Sequence, residues 1–220
     1  MNKQKYISET KKRYHDRFKK HGKSRETLGW YKGNQDKRYA ALVKHINLTE
    51  LKILEVGCGF GEGIDFLKRT KSISKYLGID ISEEFIKIAQ KKFSSGNINF
   101  TSGSFHDIEI KSNNFDICIA SGVFNFNEKH LPNYDLIQDF IKFSFEHGAK
   151  IVAFDLLSFN CDKRNDNNFY PSLEELTKVL NIFSRRYIID HSALPFEITI
   201  TIFKDDSLDY KISQYKKDID

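Results

Sequence analysis

The 220-residue sequence predicts an α/β fold, a doubly wound sheet whose strands are mostly parallel. Three observations carry that reading. Strand-like apolar runs alternate with helical patterns from residue 52 to residue 155. The first run, Ile53-Leu54-Glu55-Val56, breaks into glycines at 57, 59, 61 and 63, as a strand does when it turns sharply into a helix. The second, Tyr76-Leu77-Gly78-Ile79-Asp80, ends in an acid 23 residues after Gly57. That is close to the ~20-residue offset at which an acid reaches a ribose hydroxyl. Together they describe a nucleoside pocket at the carboxyl edge of a parallel sheet.

Each element follows from its own pattern. Residues 3–21 are polar and helix-compatible, with Tyr6, Tyr14 and Phe18 as spaced aromatics. Gly22 and the stretch Gly29-Trp30-Tyr31-Lys32-Gly33-Asn34 read as a loop. Residues 35–46 form a helix with Tyr39, Leu42, Val43 and Ile46 on one face. Strands are expected at 52–56, 75–79, 98–102, 115–120 and 149–155, and helices at 60–69, 83–93 and 133–146. Ser172 and Glu175 have the spacing of a capping box, which starts a further helix. Two strands, 184–190 and 196–203, then follow without a helix between them, so they form a hairpin whose link holds Pro195 and His191. The charged stretch 205–220 reads as a tail.

Composition bounds the class. Hydrophobic content of 40%, with 19 Phe and 10 Tyr, is enough for one sizeable core. No apolar run approaches the ~18 residues that would cross a bilayer, and the amino-terminal residues lack the apolar centre of a secretory signal. Three cysteines without metal-like spacing fit a reducing cytoplasm. The charge is uneven: residues 1–50 hold 14 Lys and Arg against 5 Asp and Glu. That basic segment is either a solvated helix face or a surface that meets an anionic substrate or nucleic acid. No RNA-module motif accompanies it.

The pocket's ligand is narrowed by its acids. In the dinucleotide pattern G-x-G-x-x-G, counted from Gly57, the last glycine would fall on Glu62. Glu62, and Glu55 before the first glycine, would sit badly beside a pyrophosphate. An acid at Glu55 suits a ligand with a cationic group and no phosphate, such as S-adenosylmethionine (SAM). The stretches Glu55-Val-Gly-Cys-Gly-Phe-Gly61 and Gly78-Ile-Asp-Ile-Ser82 resemble motifs I and II of the class I SAM-dependent methyltransferases. The resemblance covers roughly residues 40–204. It implies a Rossmann-like, seven-stranded sheet with a C-terminal antiparallel hairpin. Residues 1–46 would be a helical lid, and residues 47–204 the SAM-binding domain.

The resemblance also implies roles. Glu55 and the backbone of Gly57, Cys58, Gly59 and Gly61 would hold the methionine end of SAM. Asp80 would bind the ribose hydroxyls, Ile81 would pack on the adenine, and Ser104 and Phe105 would flank it. Ser104 stands where the family commonly has an acid. Ser121 lies in the loop under the sulfonium, and Arg38 would pair with the SAM carboxylate or else be a surface arginine. Trp30, Tyr31, Gln35, Asn125 and Tyr170 are candidates for substrate contact. Catalytic candidates are Asp155 at a strand end, His191 and His106. Neither Asn125 nor Asn127 can act as a base, and no carboxylate cluster suggests a metal.

The expected activity is in-line methyl transfer from SAM, with S-adenosylhomocysteine as product. The favoured acceptor is an oxygen of a small polar, phosphate-bearing molecule, such as a sugar nucleotide or a capsule (surface-glycan) precursor. A phosphate-type oxygen needs no base. An RNA or protein methyltransferase docking through the basic segment, or a non-catalytic SAM-binding protein, are the alternatives. Nucleic acid and membrane partners are not expected, and the chain would be a cytoplasmic monomer or homodimer.

Overall fold

The computed structural model describes residues 2–29, 35–46, 49–70, 72–110 and 114–204. The chain runs α1 (Lys3–His21), α2 (Gln35–Leu42), β1 (Leu51–Val56), α3 (Glu62–Thr70), β2 (Ile73–Asp80), α4 (Glu83–Phe93) and β3 (Ile98–Ser102). It continues with β4 (Ile117–Ala120), α5 (Asn133–Glu146), β5 (Ile151–Leu157), α6 (Leu173–Phe183), β6 (Tyr187–Leu194) and β7 (Glu197–Phe203). The strands form one seven-stranded sheet in the order β3-β2-β1-β4-β5-β7-β6. The first five are parallel, and β7 enters antiparallel between β5 and β6. The doubly wound sheet with a terminal hairpin is therefore the observed architecture.

Successive residues of a strand face opposite sides of a sheet, so a strand buried on both faces must be apolar throughout. β4, Ile117-Cys118-Ile119-Ala120, shows this with all four residues buried. On β1, Ile53 packs into one core with Tyr39 and Leu42 of α2, Ile64 and Leu67 of α3 and Ile86 of α4. Its neighbour Leu54 packs into the other, with Phe140 of α5 and Leu180 of α6. α1 joins this second core through Tyr6 and Ile7. None of the described helices is long and apolar enough to cross a membrane.

Local chemistry sets the helix starts. Ser82 caps α4, its side chain accepting from Phe85 N. Ser172 caps α6 by accepting from Glu175 N, but Glu175 binds Lys178 instead. Only half of the expected capping box forms. His191 lies within β6 rather than in the hairpin link. The tail 205–220 lies outside the described residues.

Gly63 shows how tightly β1 and α3 are joined. A Cβ there would fall on the carboxylate of Glu55. Overpacking of this kind destabilises by about 1–3 kcal/mol. Gly63→Ala should lower the urea midpoint accordingly, with an unchanged m-value; an unaltered midpoint would mean that the contact is looser than described.

Candidate active site

Parallel strands release their loops at one edge, and an α/β sheet binds ligands where neighbouring loops diverge. Here β1 lies between β2 and β4, so the loops after β1, β2, β3 and β4 ring a crevice. Gly57 turns the chain out of β1 with φ +73°, and an added Cβ would lie 2.5 Å from Val123 of the β4 loop. Glycine is thus required for both conformation and space. The amides of Gly57 and Cys58 donate to the Ile79 carbonyl at 2.8 and 3.1 Å. Asp80 ties the loops together, accepting from Gly59 N and Ser82 N at 2.9 Å each.

The crevice forms a pocket that is partly open to solvent. Its roof is α1. Tyr6, Thr10, Arg13 and Tyr14 recur at the spacing of one helical face and all line the cavity. α1 is fastened to the far side by Arg13, which makes a bidentate ion pair with Glu128 at 2.9 and 3.0 Å. The Arg13 guanidinium also lies 3.6 Å above the Phe126 ring. Lys3 binds Asp139 at 2.7 Å and Glu9 binds His130 at 2.9 Å. At the other end, Phe18 packs on Phe60 and Phe85.

The interior is acidic. Burial raises the Asp80 carboxyl to about 6 and the Glu62 carboxyl to about 7. Glu128 is a third acid on the wall, and Arg13 is the described cation facing them. Cys58 also lines the cavity, but burial pushes its thiol well above the ordinary value, which makes it no nucleophile.

The structure brings most of the predicted contact residues to this cavity. Gly57, Cys58, Gly59, Asp80, Ile81, Ser104, Phe105, Ser121 and Gln35 all line it. Others are placed elsewhere. Glu55 is fully buried behind the loop, where its carboxylate accepts from the hydroxyls of Tyr39 and Tyr76. Gly61 packs on Phe93 and Ala89. Arg38 pairs with Glu197 of β7, so its expected carboxylate partner is replaced by one from the chain itself.

The three catalytic candidates are not among the residues that line the cavity. Asp155 is buried and accepts from Ser121 Oγ at 2.6 Å and Gly122 N at 2.7 Å, so it anchors the β4 loop rather than lining the cavity. His106 stacks on Phe105 and bonds Ser104 and Asp139. Burial lowers its pKa. His191 bonds the Pro195 carbonyl near the sheet edge. Of the substrate candidates, Asn125 accepts from Leu157 N, and the Tyr170 hydroxyl accepts from Asn165 N; neither lines the cavity. Trp30 and Tyr31 lie outside the described residues.

Sequence reasoning missed Arg13, Tyr14, Glu62 and Glu128 as wall residues. The stripe Tyr6-Thr10-Arg13-Tyr14 was a usable signal, since four residues on one face of a basic helix need a surface to cover. Glu128 had none, because its approach depends on the path of the loop after β4.

The seven-stranded order with β7 antiparallel, and a crevice at its switch point, make up a Rossmann-like methyltransferase fold. Residues 53–142 match the model of the methyltransferase domain family. Two curated relatives are a fatty-acid O-methyltransferase of Mycolicibacterium smegmatis, 31% identical over 44% of this chain and 34% of that protein, and phthiotriol/phenolphthiotriol dimycocerosates methyltransferase 1 of Mycobacterium ulcerans, 28% identical over 37% and 30%. The chain thus spans about a third of the length of these relatives. The fold is shared with magnesium protoporphyrin IX methyltransferase of Synechocystis, solved with bound SAM, at TM-score 0.61 and 17% identity over 91% of this chain and 97% of that one. A SAM-dependent methyltransferase of Leishmania major superposes with TM-score 0.67 at 11% identity, over 90% and 83%.

Glu55 gives a stability test. Burial raises its carboxyl from 4.5 to about 7, against the opposing hydrogen bonds of Tyr76 and Tyr39. An acid with a raised folded-state pKa stabilises fully below its unfolded value, and that contribution is lost as pH rises through the folded value. Glu62 and Asp80 act in the same sense. The ligand-free protein should therefore lose stability between about pH 4.5 and 7. Glu55→Gln should flatten that decline in urea titrations at pH 5 and pH 8; an identical slope in the variant would remove Glu55 from the account.

Proposed function

We propose that the protein is a SAM-dependent methyltransferase acting on an oxygen of a small-molecule acceptor. The observation that carries this is Asp80, joined to the glycine loop by Gly59 N inside a roofed acidic cavity. The residues present fit SAM. Each oxygen of Asp80 accepts one backbone amide, which leaves lone pairs for vicinal ribose hydroxyls. Ile81 and Phe105 offer apolar contact to a flat base, and Glu62 offers negative charge to a cationic ligand.

When bound, SAM supplies an already activated methyl group. The protein's own task is alignment and exclusion of water. Asp155 holds Ser121 and Gly122 beneath the cavity. α1 covers it from above, so residues 1–46 act as a lid in this reading. A small-molecule acceptor is favoured over RNA or protein because α1 roofs the cavity and leaves it partly enclosed. The O-methyltransferase name of one relative supports an oxygen acceptor. The phosphate-bearing acceptor expected from the basic segment gains no support: among the described residues, the wall cation Arg13 has both terminal nitrogens on Glu128. A place in capsule-precursor synthesis has no observation behind it.

Asp80→Ala should weaken SAM binding at least tenfold, since each bond to a charged group contributes about 1.5–3 kcal/mol. Unchanged affinity by calorimetry in the folded variant would overturn the site assignment. Affinity in the wild type should fall as pH drops through about 7 to 6, where Glu62 and Asp80 take up protons. Binding at pH 6 should accordingly release protons, detectable as a dependence of heat on buffer ionisation enthalpy. If the lid reading holds, saturating SAM should also slow proteolysis of the segment between α1 and α2; equal cleavage with and without SAM would remove it.

A further inference from the structure

We infer that the acceptor presents a neutral hydroxyl to Glu128, which takes its proton during transfer. This deepens the methyltransferase reading and rests on it. The sequence offers no base in the β4 loop at Asn125 or Asn127, but the fold carries the next acid, Glu128, to the cavity wall. Its side chain is only 8% exposed. Three contacts hold it in place: its amide donates to Asn133 Oδ1 at 3.1 Å, and its carboxylate receives both Arg13 nitrogens.

The surroundings select the acceptor's charge. Tyr6, Arg13 and Tyr14 of α1 are the titratable groups facing Glu128 from the roof, and Asp80 and Glu62 lie on the opposite wall. The lone described cation on the wall is already neutralised by Glu128 itself. A phosphate or carboxylate would meet net negative charge there. A hydroxyl instead finds a carboxylate acceptor. The Thr10 hydroxyl lines the same wall beside Tyr6, is buried, and makes no hydrogen bond of normal length. It is available to a second polar group of the ligand.

The transfer balances without any further reactant. The acceptor oxygen forms its bond to the methyl carbon as the carbon–sulfur bond breaks, with that electron pair left on sulfur. The hydroxyl proton passes to Glu128 and then to solvent. General-base catalysis of this kind contributes about 10²–10⁴-fold. Arg13 acts as a positioning residue that aims the carboxylate.

The test uses the full chain and four probes: catechol and 1-octanol as hydroxyl acceptors, octanoate as a carboxylate and glucose 1-phosphate as a phosphate. Binding to the protein saturated with S-adenosylhomocysteine is read by calorimetry, and turnover by labelled SAM. A hydroxyl probe should bind and be methylated. At saturating SAM, Glu128→Gln should lower turnover by about 10²–10⁴-fold, while S-adenosylhomocysteine binding reports a folded cofactor site. Arg13→Met should cost less, and Arg13→Lys should recover part of that loss. The inference is overturned if SAM binds but neither hydroxyl probe does, if only octanoate or glucose 1-phosphate is methylated, or if Glu128→Gln stays within threefold of the wild type. Failure to bind SAM at all would instead overturn the methyltransferase reading.

Discussion

Everything at this site depends on one constraint of parallel pairing. β1 is hydrogen-bonded to β2 on one side and to β4 on the other, so the three strands end at the same edge and their loops must part. The gap between those loops is the cavity. The bond from Gly59 N to Asp80 then fixes the loops after β1 and β2 relative to each other. The bonds from Ser121 and Gly122 to Asp155 fix the β4 loop to β5. Two buried strand carboxylates thus serve different purposes: Asp80, at the end of β2, lines the cavity, while Asp155, within β5, holds a neighbour in place.

The concentration of acids is the second organising fact. Glu55 and Asp80 are buried and Glu62 is half-buried near the end of β1, and desolvation raises the pKa of each. Without a ligand these groups oppose one another and resist ionisation. A cationic ligand relieves that opposition for the residues that reach the cavity. Glu55 is different, because Tyr39 and Tyr76 already supply its hydrogen bonds. It ties α2 to the sheet and thereby places Tyr39 and Gln35 on the cavity wall.

The roof makes a basic helix serve an acidic pocket. The exposed lysines of α1 account for the charge excess of the amino-terminal segment, whereas its inward face is aromatic and hydroxylic with a single arginine. Because Arg13 is paired with Glu128, the segment's positive charge is not transmitted to the cavity. Composition alone suggested an anionic acceptor; the direction in which each side chain points removes the basis for it.

The strands of the parallel sheet, the glycine turn and Asp80 were legible in the sequence because each is a local pattern: an apolar run, a run of glycines, an acid ending a strand. Ile81, Ser104, Phe105 and Ser121 followed, since a residue just past a parallel strand is carried to the ligand edge by topology. Glu55, Arg38, Asp155 and Glu128 were not legible in the same way. Their roles depend on partners distant in sequence: Arg13 and Glu128 are 115 residues apart, Arg38 and Glu197 are 159. The sequence by itself determined where the chain turns and which loops share an edge, because those follow from short-range sterics and periodicity. Only the tertiary structure decided which buried charges face the cavity and which are satisfied behind it, because that choice is made by long-range packing.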